Sequence, residues 1–235
     1  MQKLIVANYK MNGDVEFYKT VQQTIKNLKV KDTELVLCPP FVYVPNLKIN
    51  RTKISIGVQD IACEETNKCT GQIGPNMLKE FGVTYAIVGH SERRQIGESN
   101  ELVSKKVLTS VSNGITPIIC VGEQSKQSSL NVLKTQVQIA LSKIKTDKFV
   151  IAYEPVWAIG SGEIPTNNQI NKAINIIKET TQKMGYNNIK VLYGGSVNEN
   201  NYKDLLTTAT DGFLLGGISL KLDKFFALVE GVDNA

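Results

Sequence analysis

The sequence predicts an α/β protein built as one (β/α)8 barrel over residues 1–235. Three observations carry this. Short runs that are apolar at nearly every position recur along the chain. Each is followed by a polar or Gly-rich turn and then by a longer amphipathic stretch. Eight such units fill the 235 residues with no linker or shift in composition between them. Continuous apolar runs are what parallel strands need when helices or core cover both faces, and strict β-then-α alternation closes more readily into a barrel than into an open sheet.

The predicted strands are LIVA (4–7), ELVLC (34–38), ISIGV (54–58), YAIVG (85–89), ITPIICV (115–121), KFVIAY (148–153), IKVLY (189–193) and GFLLG (212–216). Between them, VEFYKTVQQTIKNL (15–28), ELVSKKVLTSVSN (101–113) and NQINKAINIIKETTQKM (168–184) have the apolar spacing of surface helices, and Gly185 is a stop signal for the last. An open dinucleotide-binding sheet would need G-x-G-x-x-G after an early strand. The first strand is followed by NYKMNGD instead.

Composition removes several function classes. Hydrophobic residues make up 42% of the chain and charged residues 21%, as in ordinary globular proteins. No apolar run approaches the ~18 residues of a membrane span, and the first run has only four, so neither a membrane partner nor a signal peptide is expected. A cytoplasmic location follows as an expectation. Four widely spaced cysteines without a C-x-x-C pair, and a single histidine, predict reduced thiols and no metal site. The net charge of +5 comes from scattered lysines without an aromatic-interleaved stripe, which disfavours nucleic acid and suits small anionic substrates.

A barrel says where chemistry belongs: at the C-terminal ends of the strands, with phosphate sites favoured after strands seven and eight. The first strand ends ANYKMN. Asn8 and Lys10 are two apart, on one side of an extended chain, so Lys10 offers a fixed cation at the barrel mouth. The fourth ends GHSERR. His90, the one histidine, precedes a helix start, which disfavours the imidazolium and favours a neutral hydrogen-bond donor. Glu92 follows it, and Arg93 and Arg94 read as a surface ion-pair cluster. The sixth ends in Glu154, pinned by Pro155 and close in sequence to the lone Trp157, a position suited to a general base. The glycine-spaced stretch 158–162 behind it has the composition of a lid. After strands seven and eight, YGGSV and LLGGIS place Gly194, Gly195, Ser196, Gly216 and Gly217 where backbone N–H groups and a hydroxyl can cradle an anion, with Gly160 from the sixth loop. Another phosphate-binding barrel, of phosphoribosyl or indole-forming type, would share these glycine loops without needing GHSERR or the Glu154 elbow. A catalytically silent phosphometabolite-binding barrel remains a third reading.

ANYKMN, GHSERR, YEPVWAIGSG, YGGSV and LLGGIS, in this order and at these intervals, resemble the triosephosphate isomerase family over the whole chain. The resemblance implies a TIM barrel that interconverts dihydroxyacetone phosphate and glyceraldehyde 3-phosphate through an enediol or enediolate, without metal or organic cofactor. Glu154 would be the base and neutral His90 the electrophile; that pairing is the standard description of this family rather than something these residues prove alone. It further implies Asn8 and Lys10 at the developing oxyanion, Glu92 beside Lys10, and Gly160, Ser196, Gly216 and Gly217 on the phosphate.

A homodimer is implied as well, through CEETNKCTGQIGP (63–75): Thr70 matches the residue that reaches the neighbouring subunit. Cys69 stands where a bulky aromatic is common, and Gln72 where a glutamate commonly pairs with the arginine matching Arg93, so a weaker dimer than usual is expected. Other departures are Tyr9 for tryptophan, Ser161 for threonine and Glu163 for lysine. Pro165 stands where a backbone N–H commonly meets the tyrosine matching Tyr193, so the lid should be latched differently.

Overall fold

The computed structural model of the protein describes residues 2–64, 68–159 and 163–235. Eight parallel strands, β1 (Leu4–Asn8), β2 (Glu34–Cys38), β3 (Ile54–Val58), β4 (Val83–Val88), β5 (Thr116–Val121), β6 (Val150–Tyr153), β7 (Lys190–Tyr193) and β8 (Gly212–Leu215), pair in chain order, and β1 closes on β8. Closure leaves no sheet edge open to pairing with another chain. All eight predicted strands are present, shifted by at most two residues; β4 begins two residues earlier because Val83 already pairs with Ile56.

The period of two along each strand sorts side chains between two cores. Leu4, Val6, Val36, Cys38, Ile87, Ile118, Cys120, Val150, Ala152, Leu192 and Leu214 fill the barrel interior. Their neighbours Ile5, Ala7, Leu35, Leu37, Ile119, Ile151 and Val191 point outward into the larger core beneath the helices. Continuing the inward series one step at the tops of five strands names residues at the mouth: Asn8 after Val6, Gly122 after Cys120, Glu154 after Ala152, Gly194 after Leu192 and Gly216 after Leu214.

Among the described residues, the helices α1 (Val15–Asn27), α2 (Pro75–Lys79), α3 (Ser91–Gln95), α4 (Asn100–Ser112), α5 (Asn131–Leu141), α6 (Asn167–Lys183), α7 (Tyr202–Leu205) and α8 (Leu222–Asp233) surround the barrel. Local chemistry sets their ends. Asp14 caps α1 by accepting from the Phe17 N–H, and Ser99 caps α4 from Leu102. Thr166 and Gln169 form a reciprocal capping box on α6, which stops at Gly185, whose φ of 90° only glycine adopts without strain. Among the described residues, no helix is long and apolar enough to cross a membrane.

Candidate active site

At the C-terminal mouth, a cavity of about 340 Å³ is lined by Asn8, Lys10, His90 and Glu154 on one side, and by Gly194 to Val197 and Gly216 to Ile218 on the other. Five loops that share no sequence neighbourhood thus deliver their polar groups to one space. The predicted residues Asn8, Lys10, His90, Glu154, Ser196, Gly216 and Gly217 all line it. Gly160 lies outside the described residues.

Lys10 is not in extended chain. Its φ is +51°, a left-handed conformation that costs a non-glycine residue about 1–2 kcal/mol. Neighbours hold it there: its N–H donates to Asn8 Oδ1 at 3.0 Å, and its carbonyl accepts from Gln59 at 2.8 Å. The ammonium pairs with Glu92 Oε1 at 2.6 Å. Backbone strain at a mouth residue, fixed from three sides, is a mark of positioning for chemistry. Beneath it Tyr9 is fully buried, packed edge-on against Phe17 and Tyr18.

His90 occupies the N-cap of α3. Its Nδ1 accepts the Glu92 N–H at 3.2 Å, so the proton of a neutral ring sits on Nε2, which faces Glu154 Oε1 at 3.1 Å. Two influences oppose each other on this imidazole. Burial pushes its pKa down; the Glu154 carboxylate, through charge and hydrogen bond, pushes it up, and the net direction is upward. The helix start that sequence reasoning invoked is present, and the net direction is nonetheless upward. Lys10 opposes that rise by repulsion.

Glu154 is 3% exposed, and its second oxygen accepts the Ser91 N–H at 3.1 Å. A Cβ on Gly194 would stand 2.9 Å from Glu154 Cγ, and one on Gly122 would collide with the Glu154 carbonyl. The glycines on both flanks therefore make room for the acid, a role for Gly194 beyond the anion cradle. Trp157 does not brace Glu154 directly. Its indole N–H donates to Glu123 Oε1 at 2.8 Å, which also accepts from the Tyr153 hydroxyl at 2.9 Å, while the Glu123 carbonyl holds the Val156 N–H. Glu123 thereby clamps the chain on either side of Glu154. Sequence reasoning missed it, although an acid two residues past a buried strand is close to the signal that singled out Glu154. Gln59, one residue past β3, was missed in the same way.

Of the two arginines, Arg93 does form ion pairs and Arg94 needs correction. Arg94 is no surface ion-pair partner: it reaches inward to the carbonyls of Gly89 (2.8 Å) and Cys120 (3.2 Å) and to Asn100 Oδ1 (2.7 Å). Arg93 pairs within the chain with Asp60 (3.0 Å) and Glu98 (3.3 Å), which also hold the buried Lys106. On the opposite rim, β8 runs into a 3-10 turn (Gly217–Leu220) whose N-terminus opens on the cavity. The first N–H groups of such a turn have no partner inside it.

The model of the triosephosphate isomerase family matches residues 3–232. The chain belongs to that family. Triosephosphate isomerase of Thermoanaerobacter sp. (strain X514) is 40% identical over 97% of this chain and 98% of its own length. The triosephosphate isomerases of Clostridium tetani (36% identical, 98% and 97% covered) and Dehalococcoides mccartyi (37%, 97% and 96%) are similar along the same extent. Triosephosphate isomerase relatives thus match this chain over nearly its whole length, the strands that carry the mouth residues included.

Proposed function

We propose that the protein interconverts dihydroxyacetone phosphate and glyceraldehyde 3-phosphate. The observation that carries this reading is the convergence, in one cavity, of a buried carboxylate, a single histidine with its Nε2 facing inward, a strained lysine and an anion-receiving rim, in a chain of this family.

In this reading Glu154 takes a proton from the carbon beside the substrate carbonyl, and the electron pair of that C–H bond forms the enediolate. The carbonyl oxygen, now carrying negative charge, is met by Lys10, by the Asn8 amide and by the His90 Nε2–H. Fixed donors of this kind act most strongly where water is excluded. A substrate oxygen beside His90 takes over the N–H now facing Glu154, which removes the hydrogen bond that helps raise the imidazole pKa and favours the neutral ring. His90 gives its Nε2 proton to the negatively charged oxygen and takes up the hydroxyl proton of the neighbouring one, so the O–H and the C=O exchange places as Glu154 returns its proton to the adjacent carbon. Glu92 positions Lys10. Ser196, Gly216 and Gly217, with Gly160, receive the phosphate.

The same reading makes the protein a homodimer. Thr70 and Gln72 are exposed and Cys69 half-buried, and Met11 (95%) and Ile96 (75%) expose large apolar surfaces. Met11, Gln72 and Arg93 line a cavity of about 400 Å³ beside Lys10, a shape able to take a partner's loop. Gln72 cannot offer charge to Arg93, whose partners lie within its own chain, so the dimer is expected to be weak. All four cysteines are unpaired, in keeping with a reducing, cytoplasmic setting.

The test is a coupled assay with glyceraldehyde 3-phosphate beside unphosphorylated glyceraldehyde. The proposal expects rapid turnover of the first alone. Equal rates on both, or turnover of neither, would sink it.

A further inference from the structure

The loop after β5 and the segment after β6 meet at one cation. The Lys126 ammonium pairs with Glu163 Oε2 and at the same time stands 4.8 Å over the centre of the Trp157 ring. Trp157 lies three residues beyond Glu154, and Glu163 nine beyond it, so Lys126 joins both arms of the chain that follows the proposed base. Trp157 is anchored from the other side by Glu123. The Tyr193 hydroxyl, in contrast, is buried without a partner among the described residues, and Pro165 has no N–H to give it.

We propose that Lys126 is a positioning residue for the isomerisation, holding Trp157 and Glu163 together and, through Trp157 and its Glu123 anchor, steadying the strand end that carries Glu154. The proposal rests on the isomerase reading above. The Tyr193 hydroxyl has no partner among the described residues, so Tyr193 is not expected to share in this holding.

Lys126 and Glu163 are each about half exposed, so their attraction is moderate and screened by salt. A cation over a half-buried indole adds a comparable increment. Together these predict roughly a 3- to 10-fold effect on turnover, with substrate affinity little changed because neither side chain lines the substrate cavity.

The experiment compares wild type with Lys126→Met, Lys126→Arg, Glu163→Gln, the Lys126→Met/Glu163→Gln double variant and Tyr193→Phe, reading kcat, KM, thermal midpoint and the emission of Trp157, the only tryptophan in the chain. Expected are a lower kcat at nearly constant KM for Lys126→Met and for Glu163→Gln, a double variant no worse than the poorer single one, recovery in Lys126→Arg, and Tyr193→Phe within about twofold of wild type (below the effect of one exposed pair). Trp157 emission should change in Lys126→Met and return in Lys126→Arg.

A Lys126→Met enzyme with wild-type kcat and unchanged emission overturns the proposal. So does a loss that arginine does not restore, or a severe loss in Tyr193→Phe. Absence of turnover in the wild type would instead sink the isomerase reading, and the emission comparison would still decide whether Lys126 holds Trp157.

Discussion

Nε2 of His90 stands 3.1 Å from Oε1 of Glu154, bringing the ends of β4 and β6 into contact across the barrel mouth. The contact couples the two groups electrically: burial lowers the His90 pKa, and the Glu154 carboxylate, aided by Glu92, more than reverses this. Because the folded pKa is raised, this contact adds stability below the unfolded histidine value of about 6.5, and that stability fades as pH rises through the folded value.

Glu154→Gln should therefore lower the His90 titration midpoint. The chain has one histidine, so its imidazole resonance in a proton NMR titration needs no assignment. A midpoint that stays put or rises would show that Glu154 is not what raises it.

Lys10 is held in left-handed backbone geometry, with its ammonium on Glu92. Lys10→Met removes a fixed cation from the developing oxyanion and should lower kcat/KM by about 10²–10³-fold, the usual loss for one such donor. Circular dichroism should be unchanged. A loss under tenfold would mean that the lysine serves the loop and not the reaction.

Tyr9 is fully buried and its hydroxyl has no partner among the described residues. Tyr9→Phe keeps the edge-on packing against Phe17 and Tyr18 while removing an unpaired polar atom, so it should stabilise the fold by about 1 kcal/mol. For a chain of this length that raises the thermal midpoint by roughly 2–4 °C. A lower midpoint would reveal a partner for the hydroxyl.

Asp233, at the end of α8, accepts from the backbone N–H groups of Lys31 (2.8 Å), Asp32 (2.9 Å) and Thr33 (2.7 Å) ahead of β2. Burial pushes its carboxyl up, but these donors hold it below the usual aspartate value. A depressed pKa gives stability that is present above the unfolded value, near 3.9, and lost as pH falls through the folded one. Asp233→Asn should lower the thermal midpoint at pH 7, and the gap to wild type should close below about pH 3.5. A gap independent of pH would deny the carboxylate its role.

The barrel was legible because its strands are buried on both faces and so carry unbroken apolar runs. The mouth was legible because period-two alternation points Asn8, Glu154, Gly194 and Gly216 inward once the strand tops are known. Trp157, Glu123 and Arg94 were misread or missed for one reason. Their partners lie on other strands: Trp157 belongs to Glu123 from the fifth loop, and Arg94 to the Cys120 carbonyl of β5. Proximity in sequence is a poor guide where a barrel brings loop tops together. The opposing influences on His90 were hidden likewise, since the helix start is local and the Glu154 carboxylate is not.

The central claim is that Glu154 carries the proton between the two substrate carbons. Its most direct test is the turnover of glyceraldehyde 3-phosphate in deuterated water by wild type and Glu154→Gln, with deuterium in the product carbon read by NMR. The account predicts rapid isomerisation with carbon-bound deuterium in the wild type, and a loss of at least about 10²–10⁴-fold in both isomerisation and exchange in the variant. A variant that still isomerises and exchanges within tenfold of wild type would contradict it.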